Sequence, residues 1–187
     1  MGYAIAEVFA ANGAEVQLVS GPVELKTSHP GIELIPVVSA QEMYEACEKR
    51  ISAVDIAIFS AAVADFAPLE RDSEKIKRGK DGLTLTLKAT PDIAAGMGEK
   101  KRGDQVFVGF ALETSREIEN ARRKLEKKNL DLIVLNSLND TGAGFGVDTN
   151  KVSIIDRQGK VEKYDLKSKQ EVAFDIFEQV VKLIGHA

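Results

Sequence analysis

The chain is short of the residues on which most side-chain catalysis and covalent cross-linking rest. A single cysteine, Cys47, among 187 residues rules out a disulfide within the chain. It lies in the amphipathic stretch 41–49, where a buried thiol on a helix is the plain reading and a reactive thiol the other. The only histidines are His29, just before Pro30, and His186 at the tail, so neither a Ser-His-Asp site nor a zinc site is supported. The glycine-rich lysine motif of phosphate loops is missing too. No apolar run approaches the roughly 18 residues that span a bilayer, and the first residues lack the charged, apolar and cleavage regions of a secretory signal. The expected compartment is therefore cytoplasmic, with no membrane partner. The 25 basic residues are spread along a chain of net charge -4, which argues against the concentrated basic face of a nucleic-acid binder. A small anion needs only a local cluster.

What is present is an alternation of helical and strand patterns over a length that suits one domain, 1–187. Residues 3–11 carry helical spacing and stop at Asn12-Gly13. Strands are expected at 15–19, 32–38 and 54–59, with a helix from a capping box of Ser39 and Glu42 to about Ile51 between the second and third. Residues 75–78 and 83–88 flank Gly79-Lys80-Asp81-Gly82 and read as a β-hairpin. Thr90-Pro91-Asp92 reads as a helix start with threonine as N-cap, the helix running to about Lys100. A buried strand at 105–111 precedes a second capping box, Thr114 with Glu117, and a helix to Lys128. Residues 130–135 form the next strand. After the loop 136–149, antiparallel strands at 151–155 and 161–166 lead to a helix from near Ser168 to near Ile184. The predicted fold is α/β and Rossmann-like, a mostly parallel sheet with helices on both faces and an antiparallel edge extension. Such folds normally open with a strand and a ligand-facing loop, whereas this sequence opens on a helical pattern at Met1-Gly2-Tyr3.

Five stretches carry chemistry. Ser60-Ala61-Ala62-Val63-Ala64-Asp65-Phe66 follows a strand, where small side chains let a ligand approach the backbone and Asp65 can reach a ribose; the alternative is a plain tight turn. Lys75-Ile76-Lys77-Arg78, soon afterwards, is either a phosphate-neutralising cluster or a solvated hairpin. At Thr90-Pro91-Asp92-Ile93 helix amides can hold a phosphate, although Asp92 opposes an anion unless it serves magnesium, and simple capping is the stronger reading of the motif in isolation. Gly109-Phe110-Ala111 offers a ring to a base or to the core. Lys124 and Lys128 share a helix face, and that face is either a phosphate site or simply solvated. Gly142-Ala143-Gly144-Phe145-Gly146 has its third glycine misplaced for a dinucleotide fingerprint and reads as a flexible loop.

Taken in order, Ala61-Ala62-Val63-Ala64-Asp65-Phe66, Glu74-Lys75-Ile76-Lys77, Thr90-Pro91-Asp92-Ile93, Val108-Gly109-Phe110-Ala111-Leu112-Glu113-Thr114, Lys128-Asn129-Leu130-Asp131 and Gly144-Phe145 with Asp148 and Asn150 closely resemble the phosphopantothenoylcysteine synthetase family over essentially the whole chain. The resemblance implies a ligase of coenzyme A biosynthesis that joins 4'-phosphopantothenate to L-cysteine. It activates the carboxylate as an acyl-nucleotide with CTP, or as the alternative ATP, and Mg2+, and releases pyrophosphate. By resemblance Phe59, Ser60, Ala61 and Asp65 line the nucleotide pocket, with Asp65 on the ribose. Pro91, Asp92 and Ile93 adjoin the nucleotide, Phe110 the base, and Lys124 and Lys128 the phosphates. Ala62 faces the substrate, and Lys75 both adjoins the nucleotide and serves turnover. No protein-held metal and no flavin are expected, and a homodimer is, with the segment from Lys75 to Lys88 as a contact element. The family also carries, ahead of its Met-Gly pair, a strand and a loop with an asparagine and a Ser-Ser-Gly-Lys run. The expectation is thus a synthetase domain without that segment, or a non-catalytic nucleotide- or partner-binding relative.

Overall fold

The computed structural model describes residues 1–70, 74–77, 83–113, 115–137 and 148–185. Helix α1, Gly2–Ala11, ends at Asn12, and Gly13 follows with φ of +91°, the left-handed conformation that a glycine stop supplies. β1, Val16–Ser20, then pairs in parallel with β2, Ile32–Pro36. Ser39 caps α2, Ala40–Glu48, by accepting from the Glu42 amide. The Glu42 carboxylate reaches back one residue further than a capping box requires, to the Val38 amide at 2.7 Å.

β3, Ile56–Phe59, opens the central sheet. β4, Phe66–Pro68, pairs antiparallel with β5, Leu87–Ala89. This corrects the expected hairpin: residues 75–77 are not in a strand, and the partner of 87–89 is the segment just after the alanine turn. Arg78 and the proposed turn, residues 79–82, lie outside the described residues. The alternating Leu83, Leu85 and Leu87 are all exposed, so the pattern marks an outward apolar edge and not a strand packed on its own domain.

The next helix, α3, Ile93–Gly98, begins later than expected. Thr90 is not its N-cap, because its hydroxyl donates to the Ala64 carbonyl at 2.6 Å and its amide to the Asp65 carbonyl at 2.9 Å. Asp92 caps the helix instead, accepting from the Ala95 amide at 3.2 Å. β6, Val106–Glu113, extends two residues beyond its expected end. α4, Glu117–Lys127, starts from Arg116 in a left-handed conformation without a side-chain cap; Thr114, needed for the expected capping box, lies outside the described residues.

β7, Leu132–Ser137, and β8, Thr149–Asn150, flank the undescribed residues 138–147. β9, Val152–Asp156, and β10, Val161–Lys163, complete the main sheet. β11, Lys167–Ser168, pairs with β8 and leads into α5, Lys169–Ile184, which opens with a reciprocal capping box of Ser168 and Glu171.

The five-stranded sheet runs β10-β9-β7-β6-β3, parallel from β3 to β7 and antiparallel at the β9–β10 edge. Alternate residues serve opposite faces, as the two-residue period of a strand requires. Val106, Val108, Leu132, Val134, Val152 and Ile154 pack with Ile5 and Phe9 of α1 and with Val172, Ile176 and Val180 of α5. Phe107, Ile133, Leu135 and Ile155 face the other way, onto Met97 of α3 and Ala121 and Leu125 of α4. Helices therefore cover both faces, the three-layer arrangement that parallel strands need. At the amino end of the sheet Asp131 ties the layers, accepting from the Phe107 amide at 2.6 Å and pairing with Lys101 at 2.5 Å and Arg157 at 3.0 Å. Among the described residues no helix is long and apolar enough to cross a membrane.

Candidate functional site

β3 ends at Phe59 and delivers Ser60 against the start of α1, where a Cβ on Gly2 would stand 2.9 Å from the Ser60 hydroxyl. A cavity of about 840 Å³ opens there. Its walls include Phe59, Ser60, Ala61 and Asp65 after β3, Pro91, Asp92 and Ile93 at the head of α3, Phe110 on β6, and Lys124 and Lys128 on α4. Every residue assigned to the nucleotide from the sequence borders this one space except Lys75. Lys75 and Ala62 are exposed and do not line it. The cavity continues between β1 and β3, strands not hydrogen-bonded to each other among the described residues.

Each wall has a local cause. The Thr90 clasp on Ala64 and Asp65 fixes the alanine turn against the entry to α3. Gly109 lies mid-strand, paired with Phe59 and Ile133, and a Cβ there would come within 2.4 Å of the buried Leu130 side chain. Phe110 packs against the core cluster around β6, in line with its core reading, and also borders the cavity. Gly98 lets the end of α3 touch the end of α4, since a Cβ would fall 2.2 Å from the Lys128 carbonyl. Asn129, left-handed at φ 52°, locks that contact by donating to the Gly98 carbonyl at 2.9 Å.

The two cavity lysines differ from the rest of their helix. Arg123 and Lys127 are exposed, whereas Lys124 and Lys128 are half-buried and each faces a carboxylate. Lys128 Nζ donates to Asp92 Oδ1 at 2.9 Å. Burial alone would raise the Asp92 carboxyl, but the hydrogen bonds from Lys128 and the Ala95 amide, with the charges of Lys128 and Lys127, hold it below the usual carboxylate range. Lys124 Nζ stands 2.6 Å from Oε1 of Glu113, whose Oε2 accepts from Asn120 at 3.2 Å. No role for Glu113 or Asn120 is legible in the sequence, because a strand-end acid and a helix asparagine have no signature until α4 folds back on β6.

Cys47 also borders the cavity, packed against the second core cluster. Burial pushes its thiol pKa up, opposed only in part by Arg50, which fits the inert reading. Gly144 and Phe145 lie outside the described residues. Asn150 is buried and donates to Asn136 at 3.3 Å. Among the described residues no group of three or more histidine, cysteine or acidic side chains could hold a metal ion. Magnesium suits this donor set only as a companion of phosphate oxygens, with one carboxylate such as Asp92 or Asp65 nearby, a usual arrangement for that ion.

Residues 1–184 match the DNA/pantothenate metabolism flavoprotein C-terminal domain. The chain is 46% identical over 183 residues to the coenzyme A biosynthesis bifunctional protein CoaBC of Bacillus subtilis (strain 168), covering 98% of this chain and 45% of that protein. It is 52% identical over 184 residues to a cysteine/cysteine sulfinic acid decarboxylase of an unknown prokaryotic organism, covering 98% of this chain and 51% of that one. The chain thus spans about half the length of the curated relatives it matches. The crystal structure of the C-terminal domain of a CoaBC bifunctional protein superposes with a TM-score of 0.81 at 37% identity, over 100% of this chain and 83% of that one.

Proposed function

Because the chain belongs to the DNA/pantothenate metabolism flavoprotein C-terminal domain family, we propose that it is the ligase domain that joins 4'-phosphopantothenate to L-cysteine in coenzyme A biosynthesis. The observation that carries this reading is the gathering of Phe59, Ser60, Ala61, Asp65, Pro91, Asp92, Ile93, Phe110, Lys124 and Lys128 around one cavity. These are the residues the family resemblance assigns to a nucleotide, drawn from four separate stretches of sequence. We treat 1–187 as a single domain of this kind.

In the proposed reaction the substrate carboxylate attacks the α-phosphate of CTP, or less readily ATP. The bond to the departing pyrophosphate breaks, and an acyl-nucleotide remains. The amine of cysteine then attacks the acyl carbon, loses a proton as the amide forms and expels the nucleoside monophosphate. Neither step needs a protein nucleophile; both depend on alignment and on neutralising phosphate charge. Asp65, exposed at the cavity mouth, accepts from the ribose hydroxyls. Pro91, Ile93 and Phe110 flank the base. Lys124 and Lys128 meet the phosphates, and magnesium accompanies the nucleotide. Lys75, outside the cavity walls here, acts in turnover and Ala62 faces the acyl substrate. Flavin has no part in this chemistry. The protein works as a homodimer, a reading supported by the exposed Phe66, Leu69, Ile76, Leu83, Leu85 and Leu87.

The test is pyrophosphate release with 4'-phosphopantothenate, magnesium and either CTP or ATP, with and without L-cysteine. Release that depends on 4'-phosphopantothenate and is faster with CTP is expected. Binding of neither nucleotide, together with no release, would overturn the reading.

A further inference from the structure

Both cavity lysines are paired with carboxylates, and the two pairs are unlike. Asp92 is satisfied twice over, by Lys128 and by the Ala95 amide, and it is the cap of α3. Glu113 is not. Its side chain is only 13% exposed, and Oε1 is buried and takes no aligned hydrogen bond although Lys124 Nζ lies 2.6 Å away. The ion pair holds that ammonium, while Asn120 donates to the other carboxylate oxygen. Glu113 does not border the cavity; it stands behind Lys124, which does. A lysine ammonium carries three donors, so Lys124 has donors to offer a ligand besides the one that faces Glu113.

We propose that Glu113 is a positioning residue that holds Lys124 at the cavity wall and yields it to the outer phosphates of a nucleoside triphosphate, taking it back when pyrophosphate leaves. The proposal rests on the nucleotide reading above and goes beyond it by naming a residue that sets affinity without touching the ligand. Exchange of this kind works against binding, since drawing Lys124 away leaves a largely buried carboxylate less well compensated. The same cost promotes release of the charged product. Asp92, held by its two hydrogen bonds, keeps Lys128 and the helix start fixed while Lys124 changes partner.

Glu113→Gln separates this from a passive strut, because the amide keeps the shape and the contact with Asn120 but removes the charge that holds Lys124. Calorimetric titration with magnesium and CTP, and separately with CMP, provides the readout. A general loss of negative charge would move both ligands alike, since magnesium-bound CTP and CMP each carry about two negative charges. Only the outer phosphates of CTP draw on Lys124. Glu113→Gln is expected to tighten CTP about three- to tenfold, the scale of one partly screened charge pair, and to leave CMP within about twofold. Should the glutamine variant fail to fold, Glu113→Asp, which withdraws the charge by one methylene, is expected to tighten CTP by a smaller factor with CMP unmoved. Unchanged or weaker CTP binding, or equal tightening of CTP and CMP, overturns the proposal and leaves the nucleotide reading standing. Absence of nucleotide binding by the unaltered protein removes both.

Discussion

Asp65 is an exposed carboxylate whose main-chain carbonyl is tied to Thr90 while its side chain is left at the cavity mouth. If it accepts from ribose hydroxyls, Asp65→Asn loses a charge-assisted bond of about 1.5–3 kcal/mol. CTP affinity should fall by about tenfold or more, and 2',3'-dideoxy-CTP should be hardly affected. Equal losses on both ligands, in the same titration, would remove the ribose assignment. At this scale the sequence was informative about which residues gather, because small residues after a strand and a helix-head acid have local causes. It was silent on what the lysines face. Glu113 and Asp92 come from other elements, and ion pairs across elements leave no trace in local spacing.

The junction of α3 and α4 depends on a missing side chain. A methyl on Gly98 would sit 2.2 Å from a main-chain carbonyl, that of Lys128, which cannot rotate away. Gly98→Ala is therefore expected to destabilise the fold by about 1–3 kcal/mol, read as a lower denaturation midpoint at unchanged slope, and to weaken nucleotide binding by shifting Lys128. A midpoint equal to that of the unaltered chain would contradict the contact. Strong periodicity and end signals made α1, α5 and the strands of the sheet legible, as at Gly13 and Ser168. Two starts were misread for a shared reason. Thr90 looks like a cap, but a closer acceptor, the Ala64 carbonyl, takes its hydroxyl. Residues 83–88 look like half of a tight hairpin, but their last residues find the segment at 66–68, some twenty positions away. Turn chemistry reports local closure and is blind to a longer loop that closes better.

Over the whole molecule, the large exposed apolar side chains are unevenly distributed. Phe66, Leu69, Ile76, Leu83, Leu85 and Leu87 all fall within the excursion between the alanine turn and α3, which is what a surface meant for a second copy would present. Sedimentation velocity should find a dimer, and replacing Leu85 and Leu87 with glutamate should yield a folded monomer; a dimer that survives both changes would place the interface elsewhere. Fold class was legible at this scale because βα alternation restricts topology so strongly. The separation of the β1–β2 pair from the central sheet was not, since strand patterns record burial and not which neighbour supplies it. The Thr90 clasp has a further consequence in terms of chain entropy. The excursion leaves the fold at Asp65 and returns at Thr90, two residues joined by a main-chain hydrogen bond of 2.9 Å. Its ends are already together, so the cost of closing it is set at the clasp and rises by only about 0.6 kcal/mol for each doubling of its length. Lengthening or shortening the excursion away from Lys75 is accordingly a small perturbation to the cavity walls, and its exposed apolar side chains can change while those walls stay as they are.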